Sequence, residues 1–85
     1  MGKYLQIVEA GHWVSGSGME CTSTTSSDII ECDPHEMSWD WLADVFEKPA
    51  ENEDYMITVK YYAADADPMF DTPIAEHSTW LSDAM

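Results

Sequence analysis

Five carboxylates recur along one short stretch of this chain: Asp33, Glu36, Asp40, Asp44 and Glu47, separated by three, four, four and three residues. On an α-helix such steps stack side chains on one face, and no basic residue interrupts the row before Lys48. Each four-residue step advances about 6 Å along a helix axis, comparable to the separation of neighbouring phosphates on a nucleic-acid strand. A groove that holds phosphates with Lys and Arg would meet a similar row of charge here. The row opposes its own helix, by roughly 0.2–0.5 kcal/mol for each like-charged i,i+4 pair. A solvated face is the ordinary reading of such a pattern. Its surroundings tip the balance toward a surface that faces a partner. Residues 28 to 54 hold ten acids, with Asp28, Glu31, Glu51, Glu53 and Asp54 joining the five, and only Lys48 opposes them. Asp65, Asp67 and Asp71 form a second cluster that would flank the first.

Other constellations are weaker. His12, Cys21, Cys32 and His35 are the right ligand types for zinc, but gaps of eight and ten residues match no finger pattern. The run Asp65 to Asp71 resembles a calcium loop only faintly, lacking the turn glycine and the final bidentate Glu. Carboxylates are so common that no Asp/Glu pair singles out acid–base chemistry. Neither a Gly-x-Ser-x-Gly elbow nor a phosphate-cradling glycine loop is present. The expectation is a non-enzyme with no metal and no cofactor.

The elements that must position the acids follow from periodicity. Lys3 to Val14 reads as a strand, with Tyr4, Gln6 and Val8 on one face and Leu5, Ile7 and Glu9 on the other. Gly11 marks a bend or a bulge. Ser15-Gly16-Ser17-Gly18 reverses the chain, and Met19 to Ser27 follows as a Thr-rich strand or loop, with a short strand over 28–32. Asp33-Pro34-His35-Glu36 is a helix-start signature, and Pro49 after Lys48 is a stop. A helix over about 34–48 would set Met37, Trp39, Trp41, Leu42, Val45 and Phe46 on a broad apolar arc and the acids opposite, with Trp39 and Trp41 diverging so that one of them is expected to be partly exposed.

Tyr55 to Ala63 is the clearest strand. Tyr61 and Tyr62 point to opposite faces, so one of them is expected to be partly exposed. The tail offers a second helix beginning at Thr72 and Pro73, with a strand-like tail as the alternative because Ser78 and Thr79 are weak helix formers. The sum is a single α+β domain over residues 1–85: a small antiparallel sheet of three to four strands with one or two helices packed on one face.

Composition bounds the function. Seventeen acids face three Lys and no Arg, a net charge of −14. Four Trp, four Tyr and two Phe supply core material that disordered acidic segments lack. So acidic a chain is not expected to bind nucleic acid or anionic lipid directly, because phosphate binding requires cations. Three origins of the charge compete: a surface for a basic protein, a salt-adapted source, or general solubility. No secretory signal or long apolar run is visible. The expectation is therefore a cytoplasmic protein with Cys21 and Cys32 as free thiols. A homodimer is compatible with the sequence.

Small size, absence of Arg, an acidic helix and aromatic richness together give a chain that resembles the small phage proteins acting against bacterial defence, the anti-CRISPR and anti-restriction DNA mimics. That resemblance implies a steric inhibitor without a cofactor, working in the cytoplasm of the host cell. Its acidic face would occupy the nucleic-acid channel of a CRISPR effector complex or a restriction enzyme. Carried onto this chain, the contact residues would be Glu36, Asp40, Asp44 and Glu47 first, then Asp33, Glu51, Glu53 and Asp54, with Asp65, Asp67 and Asp71 flanking. The rival expectation is an acidic interaction module, antitoxin-like or regulatory, that neutralises a basic partner without imitating DNA.

Overall fold

Alternating apolar residues in two stretches, Lys3–Val14 and Glu53–Ala63, set the architecture. In a computed structural model that describes residues 2–85, they form β1 and β3, the two central strands of a four-stranded antiparallel sheet. β2 (Gly18–Glu31) flanks β1 and β4 (Ala75–Trp80) flanks β3, giving the order β2-β1-β3-β4. Two single-turn helices complete the chain, α1 (Leu42–Val45) and α2 (Leu81–Ala84).

One face of the sheet is the core. Val8 lies opposite Val59 and Ala10 opposite Ile57, while Leu42 and Leu81 close over them from the two helices. Leu42, Ile57, Val59 and Leu81 are wholly inaccessible to solvent. Burying a side chain of this size contributes about 1.5–3 kcal/mol, so these few residues carry much of the stability. The molecule is only 16 Å thick along its shortest axis. That leaves room for the sheet and one covering layer, since packed layers sit about 10 Å apart.

The hairpin between β1 and β2 forms where the glycines predict it. Gly16 and Gly18 adopt φ of +87° and +79°, a region L side chains avoid, and the Ser17 amide closes the turn on the Val14 carbonyl at 3.1 Å. Gly11 has another role. It lies flat in β1, and a Cβ there would meet the Met19 sulfur at 2.9 Å, so it is the space that lets Met19 cross the strand. The irregularities lie on β2: its register with β1 shifts twice, leaving Thr25 and Glu20 without partners. β2 is one continuous strand, not a strand followed by a separate short one, and nearly all of it is exposed.

Three expectations need correction. The helix expected over 34–48 is absent. Asp33 accepts the His35 amide at 2.9 Å, as a cap does, but the chain makes only a turn. It then runs irregularly to the single turn of α1. The physical reason lies in Met37, Trp39 and Trp41, all of which pack against the core. Residues two apart diverge by about 200° on a helix, so one continuous helix would not turn all three to the sheet. The chain instead turns at Trp39–Trp41, where the Leu42 amide bonds to the Trp39 carbonyl at 3.1 Å. Five unrelieved acids remove any countervailing helical preference.

The tail takes its strand alternative: Ala75, His77 and Thr79 pair with Tyr61, Val59 and Ile57. The helix expected from Thr72 is reduced to α2. Finally, neither tyrosine of the Tyr61-Tyr62 pair is exposed. Tyr61 sits in the core, and Tyr62 is buried on the opposite face, across from Leu5. The sheet dominates, and the helices are too short to form a layer of their own.

Candidate functional site: an acidic covering layer

Residues 32–52 leave β2 at one end of the sheet and enter β3 at the other, crossing the core face on the way. Met37, Trp39, Trp41, Leu42 and Phe46 are the inward contacts of this segment. The Trp39 and Trp41 rings sit 6.2 Å apart, and His77 Nε2 meets the Pro34 carbonyl at 2.8 Å, fastening the start of the segment to β4. These apolar side chains pin the segment to the sheet, whereas Val45, expected on the same apolar arc, is 61% exposed, and the acids project away from the sheet. Glu36, Asp40, Asp44, Glu47 and Glu51 are all exposed, and they form no ion pair among the described residues. They line a covering layer, not a helical ladder, so the regular 6 Å spacing expected of them is absent.

The other sequence candidates have different employment. Asp33 stabilises the turn at His35. Glu53, the first residue of β3, lies on the core face of the sheet and meets His12 Nε2 at 2.8 Å, with the imidazole stacked on Tyr55 at 4.8 Å. Asp54 points to the opposite face, across from Trp13. It accepts the Tyr55 amide at 2.8 Å and the Ser82 amide at 3.1 Å, and Ser82 Oγ donates to its other oxygen. Partial burial pushes the Asp54 carboxyl up, but these three donors outweigh it and hold it below the usual range.

In the β3–β4 loop, Asp67 accepts the Met69 amide at 3.0 Å and Asp71 accepts the Asp67 amide at 2.9 Å. These two carboxylates hold the loop instead of facing outward freely, while Asp65 is exposed and unpaired among the described residues. The structure thus brings together Glu36, Asp40, Asp44, Glu47 and Glu51 on one layer, and leaves Asp65, Asp67 and Asp71 on a separate loop at the Asp33 end.

Of the three lysines, Lys60 is already occupied. It meets Glu9 at 3.3 Å on the face away from the core. Burial pulls its pKa down, but Glu9, Tyr62 and Glu76 raise it above its ordinary value. The zinc candidates are separated: His12 faces Cys21 across β1–β2, whereas Cys32 and His35 lie at the other end of the sheet. Among the described residues no group of three or more His, Cys, Asp or Glu is placed to hold a metal, and no helix is long and apolar enough to cross a membrane.

Two features escaped sequence reasoning. Met69 and Phe70 stand at the tip of the β3–β4 loop, 85% and 84% exposed. Their only sequence signal was an adjacent apolar pair inside an Asp- and Pro-rich turn, where neither strand nor helix would bury it. The second is a cleft of about 220 Å³ lined by Trp13, Asp54, Trp80, Ser82 and Asp83. It joins residues from four elements, β1, β3, β4 and α2, and left no local pattern in the chain. Comparison with protein-family models, curated proteins and solved structures finds no match for this chain.

Proposed function

We propose that this chain is an acidic, non-catalytic inhibitor that binds a basic surface built for nucleic acid, such as that of a bacterial CRISPR effector or restriction enzyme, and blocks it sterically. The single observation behind this reading is the covering layer: five exposed carboxylates without partners, opposed locally by Lys48 alone. Charge of this kind, held on a segment pinned by partly buried aromatics, accelerates encounter with a basic partner and selects against acidic ones. The exposed Met69-Phe70 tip adds an apolar anchor of the type enriched at interface hot spots. On this reading the chain needs no cofactor, binds neither nucleic acid nor membrane, and works in the cytoplasm that holds its target.

One observation favours a second reading, an acidic module that neutralises a basic partner without imitating DNA. The carboxylates follow an irregular path, so they lack the regular spacing that imitation would use. Edge-to-edge pairing with a second copy would use β2 or β4, and the breaks at Thr25 and Glu20 disfavour the β2 edge.

The test is affinity capture from a bacterial lysate on immobilised protein, followed by elution with salt and with duplex DNA. Retention of nucleic-acid-binding proteins, released by DNA and weakened about tenfold or more by raised salt, supports inhibition at a nucleic-acid site. Release by salt but not by DNA selects the second reading. Retention of nothing basic removes both.

A further inference from the structure

On the sheet face away from the core, Trp13 lies opposite Asp54 and Trp80 lies opposite Met56. The two indoles approach from either side of β3 and meet edge to face, 6.3 Å between centroids with 73° between planes. Ser82 and Asp83 of α2 complete a cleft of about 220 Å³. The Asp54 carboxylate is fixed in that cleft by Ser82 and by the Tyr55 amide, so its charge is ordered and its lone pairs are largely used. Asp83 is exposed and forms no ion pair among the described residues.

Aromatic faces joined to anionic groups recognise one class of ligand, an organic cation. An ammonium or guanidinium within about 6 Å of an indole centroid is attracted by the ring quadrupole, by about 0.5–1 kcal/mol where exposed. Guanidinium suits this cleft better than ammonium. It is planar, more weakly hydrated, stacks on indole, and offers a fork to a carboxylate. The chain has no Arg of its own, so the occupant must come from another molecule.

We infer that the Trp13–Trp80 cleft is a binding site for an arginine side chain of a protein partner, with the guanidinium stacked on an indole and forked onto Asp83. This goes beyond the acidic covering layer, which lies over the opposite face of the sheet, and rests on the proposed function only for the source of the arginine.

The experiment follows the four indole N–H signals by NMR while Nα-acetylarginine amide is added at constant ionic strength. The isosteric neutral citrulline amide and the lysine amide are run beside it. The expected result is a saturable shift of the Trp13 and Trp80 signals with a Kd of about 1–10 mM, while those of Trp39 and Trp41 stay still. Citrulline should not saturate, and lysine should bind several-fold more weakly. Asp83→Asn should weaken arginine roughly three- to fivefold, the scale of an exposed ion pair. Trp80→Leu should abolish saturation, and if that variant fails to fold, Asp83→Asn serves in its place, being at an exposed position that leaves the core untouched. Absence of saturation up to about 50 mM, equal binding of citrulline, or an unchanged Kd in Asp83→Asn overturns the assignment. Loss of the indole response with lysate capture intact removes this site alone. Loss of capture with the indole response intact removes only the proposed function.

Discussion

Two acid-rich regions of this molecule use the same side chains in opposite ways. In the β3–β4 loop, Asp67 and Asp71 turn inward onto backbone amides and hold up an apolar tip, Met69 and Phe70. In the covering segment, the carboxylates of Glu36, Asp40, Asp44, Glu47 and Glu51 form no ion pair among the described residues, and aromatic side chains do the anchoring. The first set is structural, and the second is available to another molecule. Charge count alone does not separate them. What separates them is whether a nearby amide satisfies each carboxylate.

The largest expected effect comes from unfastening the covering segment. Leu42 is fully buried, so Leu42→Ala should cost about 2–5 kcal/mol, read as a lowered denaturant midpoint. It should also loosen the acidic layer while leaving the loop ordered. A cost below about 0.5 kcal/mol would mean the segment is not held through its apolar side.

Next comes the loop. Asp67→Ala with Asp71→Ala should cost about 1–2 kcal/mol, since each removes an exposed but charge-assisted bond to an amide. Faster hydrogen exchange at Asp67 and Met69 is the specific sign. Neutralising Glu36, Asp40, Asp44, Glu47 and Glu51 as amides should do the opposite, leaving stability unchanged or raising it slightly as repulsion is relieved. Destabilisation comparable to the loop pair would erase the distinction between the two regions.

These contrasts explain what was legible in the sequence. Strict alternation disclosed β1, β3 and the division of Tyr4, Gln6 and Val8 from Leu5 and Ile7, because period two is a local property. The glycine turn was legible for the same reason. The covering segment was not, since capping Asp33 and Pro34 report only where a helix can start. The spacing of Met37, Trp39 and Trp41 decides where the chain goes, and that spacing matters only against a sheet assembled from elsewhere. Of the acids expected at the site, Glu36, Asp40, Asp44, Glu47 and Glu51 are exposed but lack the expected geometry, whereas Asp33, Glu53 and Asp54 are half-buried and bonded within the fold. The Trp13–Trp80 cleft depends on β1, β3, β4 and α2 coming together, so no stretch of sequence contains it.

Smaller effects concern single groups. Asp54 carries a lowered pKa because Ser82 and the Tyr55 amide bond its ionised form more than burial opposes it. A depressed carboxyl stabilises the fold above its unfolded value, about 3.9, and that contribution is lost as pH falls through the lower folded value. Asp54→Asn should flatten this part of the acid-unfolding curve, whereas a curve identical to the parent would show that the Ser82 bonds add nothing. Smallest of all is thiol reactivity. Burial, and then Asp33, push the Cys32 thiol up, whereas Cys21 is exposed. Cys21 should be alkylated several-fold faster at neutral pH, and equal rates would mean that Cys32 is as open as Cys21.

The most direct test compares the parent protein with the variant carrying all five amides, both immobilised and exposed to the same bacterial lysate at moderate salt, after confirming equal thermal stability. The amount of nucleic-acid-binding protein retained should drop about tenfold or more in the variant, with the remainder insensitive to salt. Equal retention by the two proteins would contradict the claim that these unpaired carboxylates hold a basic partner.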